Sequence, residues 1–250
     1  MSKVSMFPAG DQSLRIVFEN KIDQTIHKQV SQLDDAISQK DIPGIRETIP
    51  AFRTLTVLYD ALQTDYETLS ETIWSLLSVS QKIPRMKKRI IEIPVCYDEQ
   101  FGIDLKDVAN HAGLSAEDVI QLHSERDYLI YMLGFLPGFA YLGGLNPVLS
   151  MPRLRTPRHK IQAGAVGIAG SQTGIYPVAS PGGWRLIGST PVQLFDADRE
   201  SPFLYEAGDY IRFRPVSIKE YDMIRQQVYT NTYQCKVKIE EDGYGDPGNA

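Results

Sequence analysis

Apolar residues in the first third of the chain follow two alternating rhythms. Ser13–Phe18 (SLRIVF) has strand character. From Asp23 onward, Ile26, Val30, Leu33 and Ile37 are spaced four, three and four apart, the period of one buried helix face. Asp23 stands where an N-cap carboxylate accepts the first free N–H groups. Pro43-Gly44 breaks this helix. Ile45–Ile49 and Thr54–Tyr59 then read as strands. Thr64 and Glu67 form a capping-box pattern before Tyr66, Leu69, Ile73, Leu76 and Val79, and that helix stops before Pro84. The order β-α-β-β-α predicts a small α/β sandwich, compatible with the ferredoxin-like arrangement.

The run KIPRMKKR over 82–89 reads as a solvated linker, which places a domain boundary there. A strand over Arg89–Val95 opens the second domain. Two short helices follow, Asp104–Ala112 with Gly113 as C′ residue, and Ser115–His123 with Ser115 and Asp118 as a cap pair. The pair imitates a helix-turn-helix, but Asp104, Asp107, Glu117 and Asp118 on the polar faces would repel DNA. From Gly134 to Pro191 the texture changes, with 11 of the 19 glycines and 7 of the 15 prolines in 58 residues. Short β-prone pieces at Val166–Ala169, Trp184–Ile187, Val192–Phe195 and Tyr210–Phe213 stand between turn clusters, the pattern of an all-β barrel with elaborate loops. Ile218–Val228 reads as a terminal helix. The expected fold class is α+β, with an N-terminal domain over 1–86, a barrel domain over 87–228 and a partly disordered acidic tail over 229–250.

Charge narrows the function classes. The formal net charge of −5 argues against bulk electrostatic binding to nucleic acid. Cys96 and Cys235 form neither a CxxC pair nor a disulfide framework. No secretory signal and no apolar run of membrane-spanning length is present, so the expectation is a cytoplasmic protein that engages no membrane.

Between Asp127 and Asp196 there is no Asp or Glu across 68 residues, where an even spread would place about eight. The same span holds Arg153, Arg155, Arg158, Lys160 and Arg185, with His159 beside them. Either barrel loops happen to be basic, or the region is prepared for a small anionic substrate bearing a carboxylate or phosphate. Arg153 and Arg158 are the candidate anion ligands, because Pro152 and Pro157 restrict the backbone around them. The missing carboxylates exclude a carboxylate pair or a metal-binding carboxylate set from this span, and the histidines are too scattered for zinc. No GxSxG, P-loop or dinucleotide fingerprint is present.

The glycine-rich pieces can line a pocket with backbone N–H groups, although tight barrel turns explain many of them. Pro137, Gly138 and Phe139, together with Gly182 and Gly183, are the expected pocket loops. Gln172, Thr173, Tyr176 and Ser180 could hydrogen-bond a polar substrate, with Trp184 or Tyr176 as an apolar wall. His123 closes a capped helix, where a histidine more often caps carbonyls than contacts substrate; it is kept as a substrate-binding candidate. No residue is assigned a catalytic role.

Taken in order, LGFLPGFAYLGGL, MPRLRTPR, AGAVGIAGSQTGIYP and SPGGWRLIGSTPVQLFD resemble the signature of the KipI/PxpB family, also called allophanate hydrolase subunit 1. The resemblance runs from Ala9-Gly10-Asp11 to about Tyr221. LIGSTP carries Ser189 where the family pattern has arginine, and an early GDxAL motif reads GDQSL. The resemblance implies a cyclophilin-like β-barrel after the N-terminal α/β domain. It implies a PxpB-type component of an ATP-dependent 5-oxoprolinase that opens 5-oxo-L-proline to L-glutamate, inactive alone. The implied partners are a PxpC/KipA-like subunit and a PxpA-like subunit. ATP and Mg2+ enter at the level of the complex, with no site evident on this chain. The alternatives it implies are a KipI-like inhibitor that binds a sensor histidine kinase and blocks its autophosphorylation, and a subunit of an allophanate or urea-amide hydrolase.

Overall fold

The computed structural model describes residues 4–21, 23–79 and 87–241, and the chain divides into two compact units at Met86/Lys87. In the first unit the strands β1 (Ser5–Pro8), β2 (Ser13–Val17), β3 (Ile45–Pro50) and β4 (Thr54–Tyr59) form an antiparallel sheet in the order β1-β2-β4-β3. Helices α1 (Gln24–Lys40) and α2 (Tyr66–Val79) supply the rest of its core. Asp23 caps α1 as its position predicts, its Oδ1 accepting from Thr25 N at 2.8 Å. Ile26, Val30, Leu33 and Ile37 are all buried against Leu14, Ile16, Leu55 and Val57. The cap of α2 is Asp65 rather than Thr64, because Asp65 Oδ1 accepts the Thr68 N–H at 2.8 Å. Strand β1 escapes the periodicity, since its four residues SMFP are too few to show an alternation. It fills the sheet position that a strand after α2 takes in the ferredoxin-like order.

The second unit is built on a five-stranded sheet in the order β14-β5-β13-β6-β7. Here β5 is Lys87–Val95, β6 Asp127–Leu133, β7 Ala140–Gly143, β13 Tyr210–Pro215 and β14 Val237–Glu241. A three-stranded sheet of β10 (Gln172–Ile175), β9 (Ala165–Ala169) and β12 (Arg185–Ser189), and a two-stranded ladder of β8 (Arg158–Ile161) with β11 (Ser180–Gly182), complete it. Helices α3 (Leu105–Ala112) and α4 (Ala116–Ser124) follow the predicted caps: Gly113 is left-handed, and Ser115 and Asp118 form a reciprocal capping box. The expected terminal helix is α5 (Ile218–Tyr229), capped by Ser217. The mixed α+β class is as expected. The single closed barrel is not found: the ladders fall into three sheets around a common core containing Ile91, Ile93, Tyr128, Val166, Ile168, Ile211 and Phe213.

Three further expectations change. Val192–Phe195 is not a strand; of these residues only Phe195 forms a bridge, to Phe203. The end of the basic run is structured, since Lys88 bonds Asp127 at 2.6 Å and Arg89 pairs with Asp209 within β5, while residues 80–86 lie outside the described residues. Part of the expected tail is the edge strand β14, in which Lys238 meets Glu92 at 3.2 Å; residues 242–250 lie outside the described residues. An alternation of only five residues is easily lost in an acidic segment. No helix among the described residues is long and apolar enough to cross a membrane.

Candidate functional site

The glycine-rich loops of the second unit meet around a small apolar cluster separate from the main core. Phe139, just before β7, packs edge-on against Trp184 (5.6 Å between centroids), Tyr176 (6.0 Å) and Tyr141 (5.1 Å). Edge-to-face contacts set the positive rim of one ring on the negative face of the next, which fixes the orientation of each. Glycines let the chain pass close to aromatic side chains here. A Cβ on Gly182 would lie 2.3 Å from Tyr176 Oη, and one on Gly138 (φ 80°) would lie 2.8 Å from Phe195 Cβ. The Gly138 carbonyl is held by the Tyr205 hydroxyl at 2.7 Å. The Gly183 carbonyl accepts the Leu154 N–H at 2.7 Å, which ties the MPRLRTPR segment to the rim of the cluster.

Arg153 is thereby held over this cluster, its Cζ 6.0 Å from the Trp184 ring centre. It is exposed and has no ion pair among the described residues. Burial pushes the Tyr176 phenol up, opposed by the Trp184 backbone hydrogen bond and by the charges of Arg153 and Arg158. Tyr176 is therefore a neutral phenol beside the Arg153 guanidinium. Ser180 Oγ is buried without a hydrogen-bond partner among the described residues. Gln172 is half-buried at the start of β10, and Pro137 is exposed beside Gly138.

Arg158 behaves differently from Arg153. Its Nη2 donates to Asp104 Oδ1 at 2.7 Å and its Nη1 to the Trp184 carbonyl at 3.2 Å, while Asp104 Oδ2 accepts the Leu186 N–H at 2.7 Å. Arg185 meets Asp107 at 3.2 Å. The carboxylates missing from the 68-residue span are thus supplied from the start of α3, and they neutralise two of its five cations. Linear sequence hides this, because Asp104 and Arg158 are 54 positions apart. Ser189 is buried opposite Ala165 across the β12–β9 ladder, its Oγ 3.4 Å from Tyr221 Oη.

His123 and Thr173 are not part of the aromatic face. Both are fully buried in the main core, joined by a 2.8 Å bond between His123 Nε2 and Thr173 Oγ1. Thr173 donates its proton to the Gly167 carbonyl at 3.0 Å, so it accepts from Nε2–H. His123 Nδ1 is then the acceptor for the Tyr97 hydroxyl at 2.7 Å. Burial pulls the His123 pKa down to about 3, so a neutral ring with a defined tautomer stacks on Phe213 at 4.4 Å.

A residue that sequence reasoning passed over is Phe135. It is 72% exposed with φ 66°, and its ring meets Phe139 edge-on at 5.8 Å. A left-handed backbone at a non-glycine residue costs about 1–3 kcal/mol. A Phe between Gly134 and Gly138 was the only available signal. A cleft of about 550 Å³ lies elsewhere in this unit, lined by Arg89, Asp196, Arg199, Tyr233 and Cys235 among others. Its arginines are engaged by Asp209 and Asp196, and none of the candidate residues reaches it.

Comparison with known proteins supplies the context for this geometry. A family model described as carboxyltransferase domain, subdomain C and D, matches residues 4–205. The chain is 40% identical over 228 residues to the B component of the 5-oxoprolinase of Bacillus subtilis (strain 168), covering 87% of this chain and 95% of that one. The crystal structure of TTHA0988 superposes with a TM-score of 0.71 at 36% identity, over 82% of this chain; the chain spans 40% of that longer protein. The K. lactis urea amidolyase gives a TM-score of 0.80 over 96% of this chain and 16% of its own, at 20% identity, a likeness of fold alone.

Proposed function

The chain belongs to the carboxyltransferase-domain family, subdomain C and D, and from that premise we propose that it is the PxpB-type component of an ATP-dependent 5-oxoprolinase. In this reading the Arg153–Trp184–Tyr176 face binds the carboxylate of 5-oxo-L-proline. The observation that carries the site is the contrast among the arginines: Arg158 and Arg185 are neutralised by α3, whereas Arg153 is held over Trp184 without an ion pair among the described residues. A guanidinium that is already stacked and unpaired needs little reorganisation, and it matches a carboxylate bidentately. Tyr176 and the Ser180 hydroxyl, which has no hydrogen-bond partner among the described residues, offer neutral hydrogen bonds to a lactam, with Gly182 packed against Tyr176.

The 68-residue span encodes no carboxylate, so the base for ring opening is assigned to another subunit, of the PxpC-like or PxpA-like kind. ATP and Mg2+ act at the level of the complex. Among the described residues no three His, Cys, Asp or Glu side chains converge as metal ligands. We infer that the second unit is an open relative of the cyclophilin-like barrel, an inference supported by the Cys96–Ser189 bridge that joins the end of β5 to β12 around one core.

The test is to combine this chain with PxpC-like and PxpA-like subunits and measure glutamate released from 5-oxo-L-proline with ATP. Activity that requires all the subunits is expected, and an inactive full mixture overturns the assignment. Arg153→Ala should raise KM by about 10–100-fold, the usual contribution of one charge-assisted contact, with the melting temperature unchanged. An unchanged KM removes Arg153 from the site.

A further inference from the structure

We propose that Phe135 is the apolar anchor through which this chain docks the PxpC-like subunit of its complex, on a surface that presents an apolar socket within an acidic rim. The inference rests on the reading of the chain as one component of a multi-subunit enzyme.

The backbone at Phe135 is bent into a three-residue turn, with the Leu136 N–H returning to the Gly134 carbonyl at 2.8 Å. Such a turn with positive φ at its centre is rare and strained, and φ here is 66°. The position suits glycine, yet it carries a phenyl ring that is 72% exposed, with one ring contact among the described residues, the edge of Phe139. The isolated chain gains little from this ring and holds a strained backbone to display it. Strain combined with an uncovered aromatic is accounted for when a second surface covers the ring, as at interface hot spots.

Charge selects the occupant. The Phe139 ring joins Phe135 to Trp184, over which Arg153 lies. Arg155 and Lys160 in the same segment are exposed and have no ion pair among the described residues. No acid is encoded between Asp127 and Asp196, and Asp104 and Asp107 are already engaged. A second copy of this chain would bring uncompensated cations against cations. A partner bearing carboxylates gains from the same juxtaposition and supplies the acidic groups this face lacks.

The experiment uses the full chain and a separately purified PxpC-like subunit, with association read by biolayer interferometry and folding by thermal denaturation. Phe135→Gly should weaken association at least about tenfold, with a melting temperature no lower than that of the unsubstituted chain because the strain is relieved. Phe135→Tyr should bind within about threefold of the unsubstituted chain, and affinity should fall as salt rises. Association of Phe135→Gly within about twofold, or equal losses in both variants, overturns the proposal. So does self-association of the unsubstituted chain that Phe135→Gly abolishes, which assigns the ring to a second copy. Active assembly with normal binding by Phe135→Gly removes the anchor alone. Failure of the unsubstituted chain to bind removes the 5-oxoprolinase reading as well.

Discussion

Replacing Thr173 with valine separates a structural role from a substrate role. Valine keeps the shape and the β-branch of threonine, so β10 retains its packing. The substitution removes the hydroxyl that accepts His123 Nε2–H at 2.8 Å and donates to the Gly167 carbonyl at 3.0 Å, in a position with no solvent exposure. The orphaned donor has no escape. A tautomer switch leaves Nε2 as an unpaired acceptor instead. Charging the ring is opposed by the burial that lowers its pKa to about 3. An unsatisfied buried polar group costs about 1–3 kcal/mol, which corresponds to roughly 4–8 °C in melting temperature at about 2 kcal/mol for a protein of this size. Thermal unfolding at neutral pH, read by near-ultraviolet circular dichroism, should show that loss for Thr173→Val and a much smaller one for Thr173→Ser. KM for 5-oxo-L-proline in the assembled enzyme should be unaffected. A melting temperature within about 1 °C of the unsubstituted chain, with a raised KM, refutes this reasoning and returns Thr173 to the substrate.

Acid should weaken both units. His123 (about 3) and His27 (about 4) are held below their usual 6.5 by burial, so below pH 6.5 the unfolded chain takes up protons that the folded chain refuses. Each contributes stability that is full above pH 6.5 and falls by about 1.4 kcal/mol per pH unit down to its folded value; urea midpoints that do not change from pH 7 to 5 contradict this. Asp104→Ala should destabilise the second unit by about 2–4 kcal/mol, since it strands Arg158 and the Leu186 N–H together. Urea denaturation measures it, and a loss below about 0.5 kcal/mol would show that the pair is dispensable.

Local rhythm in the sequence determined most of the elements. The face Ile26, Val30, Leu33 and Ile37, the cap at Asp23, the Ser115/Asp118 box and the Gly113 terminus all depend on neighbours within a few residues, and all are found where the pattern puts them. The ordered glycine-rich motifs likewise carried the family. Short or edge elements did not announce themselves, because four or five residues at β1 and β14 hold too little alternation, and Val192–Phe195 has strand-like residues but no ladder to join. The acid-free span was legible as composition, but its meaning was not. Whether an arginine is free depends on what the fold brings beside it. Only the tertiary structure sets Asp104 against Arg158 and Asp107 against Arg185 and leaves Arg153 over Trp184. It also withdrew His123 and Thr173 into the core, since burial and hydrogen-bond pairing across 50 residues are properties of packing that no local pattern encodes.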